Sequence, residues 1–243
     1  MDVRGVFNSL CKKIEEHFSF FIMIISGTVI SFIVLVSFAM VAYPDGVTPS
    51  GLIYENYSFW GNFLSDLGMA VSFGNNSNTV APLLFNSALI ILAVGVLLLN
   101  LVFYTVFRGV KEDQEKFLHI GFVCGFLSPV FLVLIGVFPK DAYYTVHGAV
   151  ASLFFLFALI WVLSFNALLV FYDESFKKYA YMGYLFWIIS MIYTFVPIFL
   201  PQHSASESIF KPMFQKVTII SLIMVLWGDL QACRHVGKRL FEK

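Results

Sequence analysis

The chain alternates between long apolar runs and short polar connections. Uncharged apolar runs cover residues 20–43, 83–107, 118–138, 143–171 and 180–200, and a sixth over 209–230 holds Lys216 in its interior, with Lys211 and Asp229 near its ends. A hydrocarbon core about 30 Å thick takes roughly 20 residues at about 1.5 Å each. Every run reaches that length, so the pattern predicts an all-α polytopic membrane protein: one domain of six transmembrane helices. Barrel strands are excluded because the runs are too long and lack strict alternation. The first run is too long for a signal-peptide core, and Tyr43-Pro44-Asp45 is not a small-residue cleavage site.

Between the runs, basic residues fall on one side. Arg4, Lys12 and Lys13, then Arg108, Lys111 and Lys116, then Lys177 and Lys178, then Arg234, Lys238, Arg239 and Lys243 occupy the termini and alternate loops. The opposite side holds only Lys140 and Lys211. Cytoplasmic loops are enriched in Lys and Arg, so both termini are expected in the cytoplasm, in the plasma membrane if the host is prokaryotic.

The outer segment 44–82 is long for a bare loop. Its middle, 59–73 (FWGNFLSDLGMAVSF), is apolar and aromatic, which suits a short re-entrant or interfacial helix.

Composition sharpens this picture. Hydrophobic residues make up 59% of the 243 and charged residues 12%, about half the charge of a soluble domain. The mean hydropathy is +0.85. Disordered and ordinary soluble classes are thereby excluded. With 15 basic and 15 acidic residues, no net field points at nucleic acid. The expected partner is a membrane lipid; a homo-oligomer is compatible with the chain and not specified by it. Cys11, Cys124 and Cys233 have no metal spacing and read as inert small residues. No cofactor or metal motif is present.

In so apolar a chain, polar groups at bilayer depth carry the functional information. Ser65 and Asp66 lie in the apolar part of the outer segment, and Asn86 one turn into the second run. Asp141 follows the third run, and His147 opens the fourth. His203 lies between the fifth and sixth runs, and Gln215 and Lys216 are about two turns into the sixth. All sit toward the outer side, so convergence on one polar pocket is the expectation. His147 can transfer a proton, bind a metal or simply hydrogen-bond a neighbouring helix, with Asp141 or Asp66 as its orienting carboxylate. Ser65 becomes a nucleophile only if a base reaches it. Lys216 can snorkel outward, pair with Asp66 or Asp141, or meet a lipid phosphate. Asn86, His203, Gln215 and Lys216 are candidate substrate-binding groups; His147, Asp141, Asp66 and Ser65 are candidate catalytic groups.

Three segments taken in order resemble a known family. They are Ser65-Asp66-Leu67-Gly68, then Pro82-Leu83-Leu84-Phe85-Asn86, then Gly136-Val137-Phe138-Pro139-Lys140-Asp141 with His147-Gly148 and Ala151. This order is similar to the prokaryotic six-span "domain of unknown function 998" family and, more distantly, to DRAM/Frag/Sfk-type membrane proteins. The resemblance implies lipid-related work at the membrane rather than a named reaction. The leading expectation is a pocket that binds or modifies a lipid or lipid-linked molecule. A non-catalytic scaffold or lipid-binding protein is the second reading, and a proton-coupled solute transporter the third.

Overall fold

The computed structural model describes residues 3–44, 55–199 and 205–241. Seven helices make up nearly all of them: α1 (Val3–Glu16), α2 (Phe18–Ala42), α3 (Val80–Phe107), α4 (Glu112–Val137), α5 (Tyr144–Tyr172), α6 (Lys177–Phe199) and α7 (Ala205–Phe241). The described residues contain no named strand, only one isolated antiparallel bridge between Val71 and Ser77.

Among the described residues, five helices are long and apolar enough to cross a bilayer: α2, α3, α4, α5 and α7 from Ile209 onward. The described part of α6 is not among them. It opens on Lys177 and Lys178 and carries Tyr179, Tyr181 and Tyr184 in its first turns.

Helix α3 is the central column. Its apolar window is 61% buried, against 28% for α2, which covers one side and leaves Phe20, Met23, Ile30 and Phe38 exposed. Apolar exposure of that extent is expected of a lipid-facing surface. The ring closes through α3–α4, α4–α5, α5–α6, α6–α7 and α3–α7 contacts.

Several closures depend on missing side chains. A Cβ on Gly95 of α3 would lie 1.9 Å from Thr28 Oγ1 of α2, and one on Gly183 of α6 would lie 1.6 Å from Asn166 Nδ2 of α5. Without a strong hydrophobic drive between helices in lipid, such close approaches supply packing energy.

Helix bounds differ from the apolar runs in interpretable ways. Helix α4 begins at Glu112 rather than 118, because its acidic first turn (Glu112, Asp113, Glu115) suits the positive end of the helix dipole. Helix α7 runs on to Phe241 rather than stopping at 230, closing on Lys238 and Arg239. Asp229 is therefore no loop-edge acid: it is buried within α7. Helix α1 has no counterpart among the runs. Phe7, Leu10, Cys11 and Ile14 follow the i, i+3, i+4, i+7 pattern of a one-faced helix. Cys11 and Ile14 are buried, Phe7 packs edge-on against Tyr104 and Phe122, and Glu15 accepts from Arg108 at 2.5 Å. All three cysteines are free and buried.

The described part of the segment between α2 and α3, residues 55–79, forms a folded cap over one end of the bundle. Helical geometry within 59–73 is confined to a 3-10 turn, Leu64–Gly68, all five residues of which are buried. It is thus not a continuous helix. The cap then reverses: Asn78 N–H donates to Ala70 O (2.9 Å) and Ser72 N–H to Asn76 O (3.0 Å). Asn75 makes the turn with φ 60°, a left-handed conformation that Asn tolerates better than most residues.

Candidate functional site

The cap is pinned to the bundle by polar contacts of the first and third motif segments. Asp66 is fully buried. Its Oδ1 accepts from Lys140 Nζ at 2.8 Å, and its Oδ2 from the Phe63 amide at 2.8 Å and from Asn62 Nδ2 at 3.4 Å. The Lys140 ammonium also lies 4.2 Å from the Phe63 ring centroid, a favourable cation–π distance. One residue on, Asp141 Oδ2 accepts from the Ala70 and Val71 amides at 2.9 and 3.1 Å. The turn between α4 and α5 thus holds the cap with two consecutive side chains.

The second motif packs behind the first and third. A Cβ on Gly68 would meet the Phe85 ring at 3.1 Å, and one on Gly136 would meet Asn86 Oδ1 at 2.9 Å. Asn86 therefore fills a notch left by Gly136. Its Oδ1 is buried and has no hydrogen-bond partner among the described residues.

Beneath the cap lies an apolar slot. It is lined by Phe32 of α2, Phe85, Leu89 and Leu92 of α3, Leu132 and Ile135 of α4, and Leu64 of the cap, with α5 and α7 completing the wall. Its enclosed volume is about 50 Å³, and it opens into a wider space of about 590 Å³ that includes solvent-accessible surroundings. Along α7 the lining runs from Gln215 to Leu226, roughly 16 Å at about 1.5 Å per residue. The half-buried lining residues are Ala151 and Phe155 of α5 and Gln215, Ile219 and Ile223 of α7. These are the least buried parts of the lining, and Tyr193 of α6 packs against one of them, Phe155, at a ring-centroid distance of 5.7 Å.

Only three lining residues are polar: Ser65, His147 and Gln215. All three sit at the cap end. Ser65 is on the buried 3-10 turn, and His147 is in the first turn of α5. Gln215 Oε1 accepts from the Leu64 amide at 2.7 Å, which ties α7 to the cap. His147 Nδ1 lies 2.8 Å from the Phe138 carbonyl oxygen.

Several expected pairings take a different form. Neither Asp141 nor Asp66 hydrogen-bonds His147; its orienting group is the Phe138 carbonyl. The carboxylates are committed to the cap and to Lys140 instead. No hydrogen bond joins Ser65 to His147 among the described residues, although both line one slot. Lys216 neither snorkels nor reaches a carboxylate. It is buried, donates to the carbonyls of Asn62 and Pro212, and faces the Tyr57 and Phe59 rings. Asp66 takes Lys140 in its place. His203 lies outside the described residues.

Lys140, Asn62 and Tyr57 are site residues that the apolar pattern did not single out. Tyr57 Oη donates to Phe63 O at 3.1 Å. Burial pushes its phenol well above the ordinary value of 10.0, and the Asp66 carboxylate and the Tyr43 phenol push the same way. Lys140 did leave a sequence trace: it is one of very few cations on the side that otherwise lacks them, which calls for a local partner.

Against known proteins, the chain matches no curated protein and no solved structure. It does match the family model described as "Protein of unknown function (DUF998)" over residues 32–207, which takes in α3 to α6, the C-terminal part of α2 and the three interlocked motif segments. This helical, membrane-type chain belongs to the DUF998 family.

Proposed function

We propose that this protein is an integral membrane protein that binds a lipid or lipid-linked molecule in the slot beneath its cap. The supporting observation is the slot's polarity: apolar along its length, with Ser65, His147 and Gln215 gathered at the cap end. That division matches a chain-bearing molecule whose polar part stays near the membrane surface. The chain would enter sideways from the bilayer on the α5–α6–α7 side, where the lining is least buried. The motif likeness to DRAM/Frag/Sfk-type proteins supports the same lipid-related reading.

In this proposal the chain crosses the membrane six times, with α6 as the sixth span. Its Tyr-rich face is shielded by α5 and α7, and its two lysines lie at the cytoplasmic surface. Both termini are cytoplasmic, because the basic residues cluster at the end opposite the cap. Asp66, Asp141 and Lys140 position the cap, and Asn86 and Lys216 hold its underside. His147 and Ser65 meet the ligand's polar part, with His147 as the acid/base if the ligand is turned over.

Lipid mass spectrometry on membranes holding equal amounts of folded wild type or His147→Ala separates binding from turnover. A lipid class altered by the wild type alone is the result expected of a lipid-modifying enzyme. Identical profiles, with a lipid co-purifying with wild type and depleted in Ser65→Ala, would leave binding without chemistry. Identical profiles with no co-purifying lipid would contradict the proposal.

A further inference from the structure

We infer that the edge of the cap, the Phe59–Trp60 pair backed by the Lys216 ammonium, seats the anionic headgroup of a phospholipid in the leaflet on the cap side. This contact lies outside the slot and does not depend on what the slot takes up.

A tight turn builds the edge. The Asn62 amide donates to Ser58 O at 2.9 Å, the Ser58 amide to Asn62 Oδ1 at 3.0 Å, and the Gly61 amide to Ser58 Oγ at 3.1 Å. Phe59 and Trp60 form the tip of this turn, edge-on to each other at a centroid distance of 4.9 Å. They are 39% and 56% exposed. The Trp60 indole N–H makes no hydrogen bond among the described residues and is left to donate outward. An exposed indole with an apolar body and a polar N–H suits the membrane–water interface.

The level of the edge along the bundle brings it to lipid. Through Gly68 the cap packs on Phe85 and Asn86 of α3, and through Asn62 it holds Lys216, which also donates to Pro212 O of α7. Val80 and Leu83 of α3 and Ile209 of α7 lie farther toward the cap end of those helices, and all three are exposed. Exposed apolar residues on a membrane-type bundle mark its lipid-facing surface. The bilayer therefore extends past the points where the cap is attached, and the aromatic edge falls within the interfacial layer.

Lys216 supplies the charge complementarity. Its ammonium has three N–H donors, and the carbonyls of Asn62 and Pro212 take two of them. It lies 5.3 Å from the Phe59 ring centroid and 5.5 Å from that of Tyr57, so it sits directly behind an exposed ring. No carboxylate is ion-paired with it among the described residues. Asp66 is taken by Lys140 at 2.8 Å, and Asp141 accepts from the Ala70 and Val71 amides. Asp66, Lys140 and Lys216 together thus leave one positive charge uncancelled behind the edge. A charge withdrawn from water needs a counter-charge, and an anionic headgroup on the edge provides one. Its phosphate oxygens accept from the Trp60 N–H. A zwitterionic headgroup brings its own cation and offsets less.

The test uses the full chain in phospholipid nanodiscs and reads the quenching of Trp60 fluorescence, taken as the difference between wild type and Trp60→Phe. The probes are phosphatidylglycerol and phosphatidylcholine with identical chains, each brominated in turn and diluted into the other. The expected result is a preference for phosphatidylglycerol at Trp60 of about fivefold, equivalent to about 1 kcal/mol for one basic residue near an anionic lipid. Lys216→Gln keeps an N–H donor without the charge and should abolish the preference while quenching by lipid persists. Ala151→Trp, which obstructs the slot wall, should leave the preference unchanged. No preference in the wild type would overturn the anionic seat, whether or not Lys216→Gln assembles. A preference that survives Lys216→Gln would overturn Lys216 as its source. Loss of the preference in Ala151→Trp would place the lipid in the slot and overturn a separate seat. Trp60 emission quenched by neither brominated lipid would overturn the lipid contact itself.

Discussion

Replacing Lys140 by Met is expected to destabilise the protein by about 3–5 kcal/mol, because it leaves a buried carboxylate without its cation. Asp66 is completely buried, and Lys140 closes its Oδ1 side. The remaining donors, the Phe63 amide and Asn62, both serve Oδ2. The reverse change is milder. In Asp66→Asn the Lys140 side chain, 14% exposed, has a path to water. The new amide oxygen can still accept from Phe63. The double variant Asp66→Asn/Lys140→Met should recover much of the Lys140→Met loss, since a neutral pair carries no unpaired charge. Thermal unfolding of the four proteins in one detergent gives the coupling energy, expected within about 0.5–3 kcal/mol. Additive losses in the double variant would show that the pair does not act as a unit.

A methyl group added at Gly121 is the second large effect. Its Cβ would lie 2.4 Å from the Phe165 ring. That ring is fully buried and cannot step aside, because it is stacked on Phe103 at a centroid distance of 3.7 Å. Overpacking of this kind costs about 1–3 kcal/mol. Helix propensity works the other way, since Ala is favoured over Gly by about 1 kcal/mol. Gly27 on α2 isolates that opposing effect, because a Cβ there meets nothing within 4 Å. Gly121→Ala should therefore lower the melting temperature and Gly27→Ala should leave it unchanged or raise it. Gly121→Ala/Phe165→Leu should melt higher than the sum of its single changes implies. Equal effects at the two glycines would remove the packing argument for the α3–α4–α5 junction.

These two cases show what sequence could carry and what it could not. Long uncharged runs specify buried or lipid-facing helices directly, because hydrophobic length is a one-dimensional property. The five apolar spans follow from it. The run over 180–200 falls on α6, a Tyr-rich helix with a doubly basic start, and its membrane crossing is part of the proposal. Helix α1 escaped because its apolar face is only a stripe, visible by period rather than by run length. Gly121 and Gly27 read alike in sequence; only the third dimension puts Phe165 against one of them.

The site divides in the same way. The three motif segments were legible as motifs, and the structure interlocks them through Asp66–Lys140, Gly136–Asn86 and Gly68–Phe85. Their partners were not legible. Asp66 and Lys140 stand 74 positions apart, and the buried Lys216 offered a rival cation for the same carboxylate. The rivalry is settled by the cap, whose Asn62 carbonyl takes up Lys216. The slot itself combines residues from five helices and the cap, so no local pattern encodes it.

The central claim is that a lipid chain lies in the slot, against its α5 and α7 walls. The most direct test is photolabelling in native membranes with a lipid bearing a diazirine near the chain terminus, followed by peptide mapping of wild type and Ala151→Trp. The account predicts adducts concentrated on Phe155, Ile219 and Ile223, and their loss in Ala151→Trp. Adducts spread over lipid-facing residues such as Met23, Leu83 and Ile120, unchanged by Ala151→Trp, would contradict it.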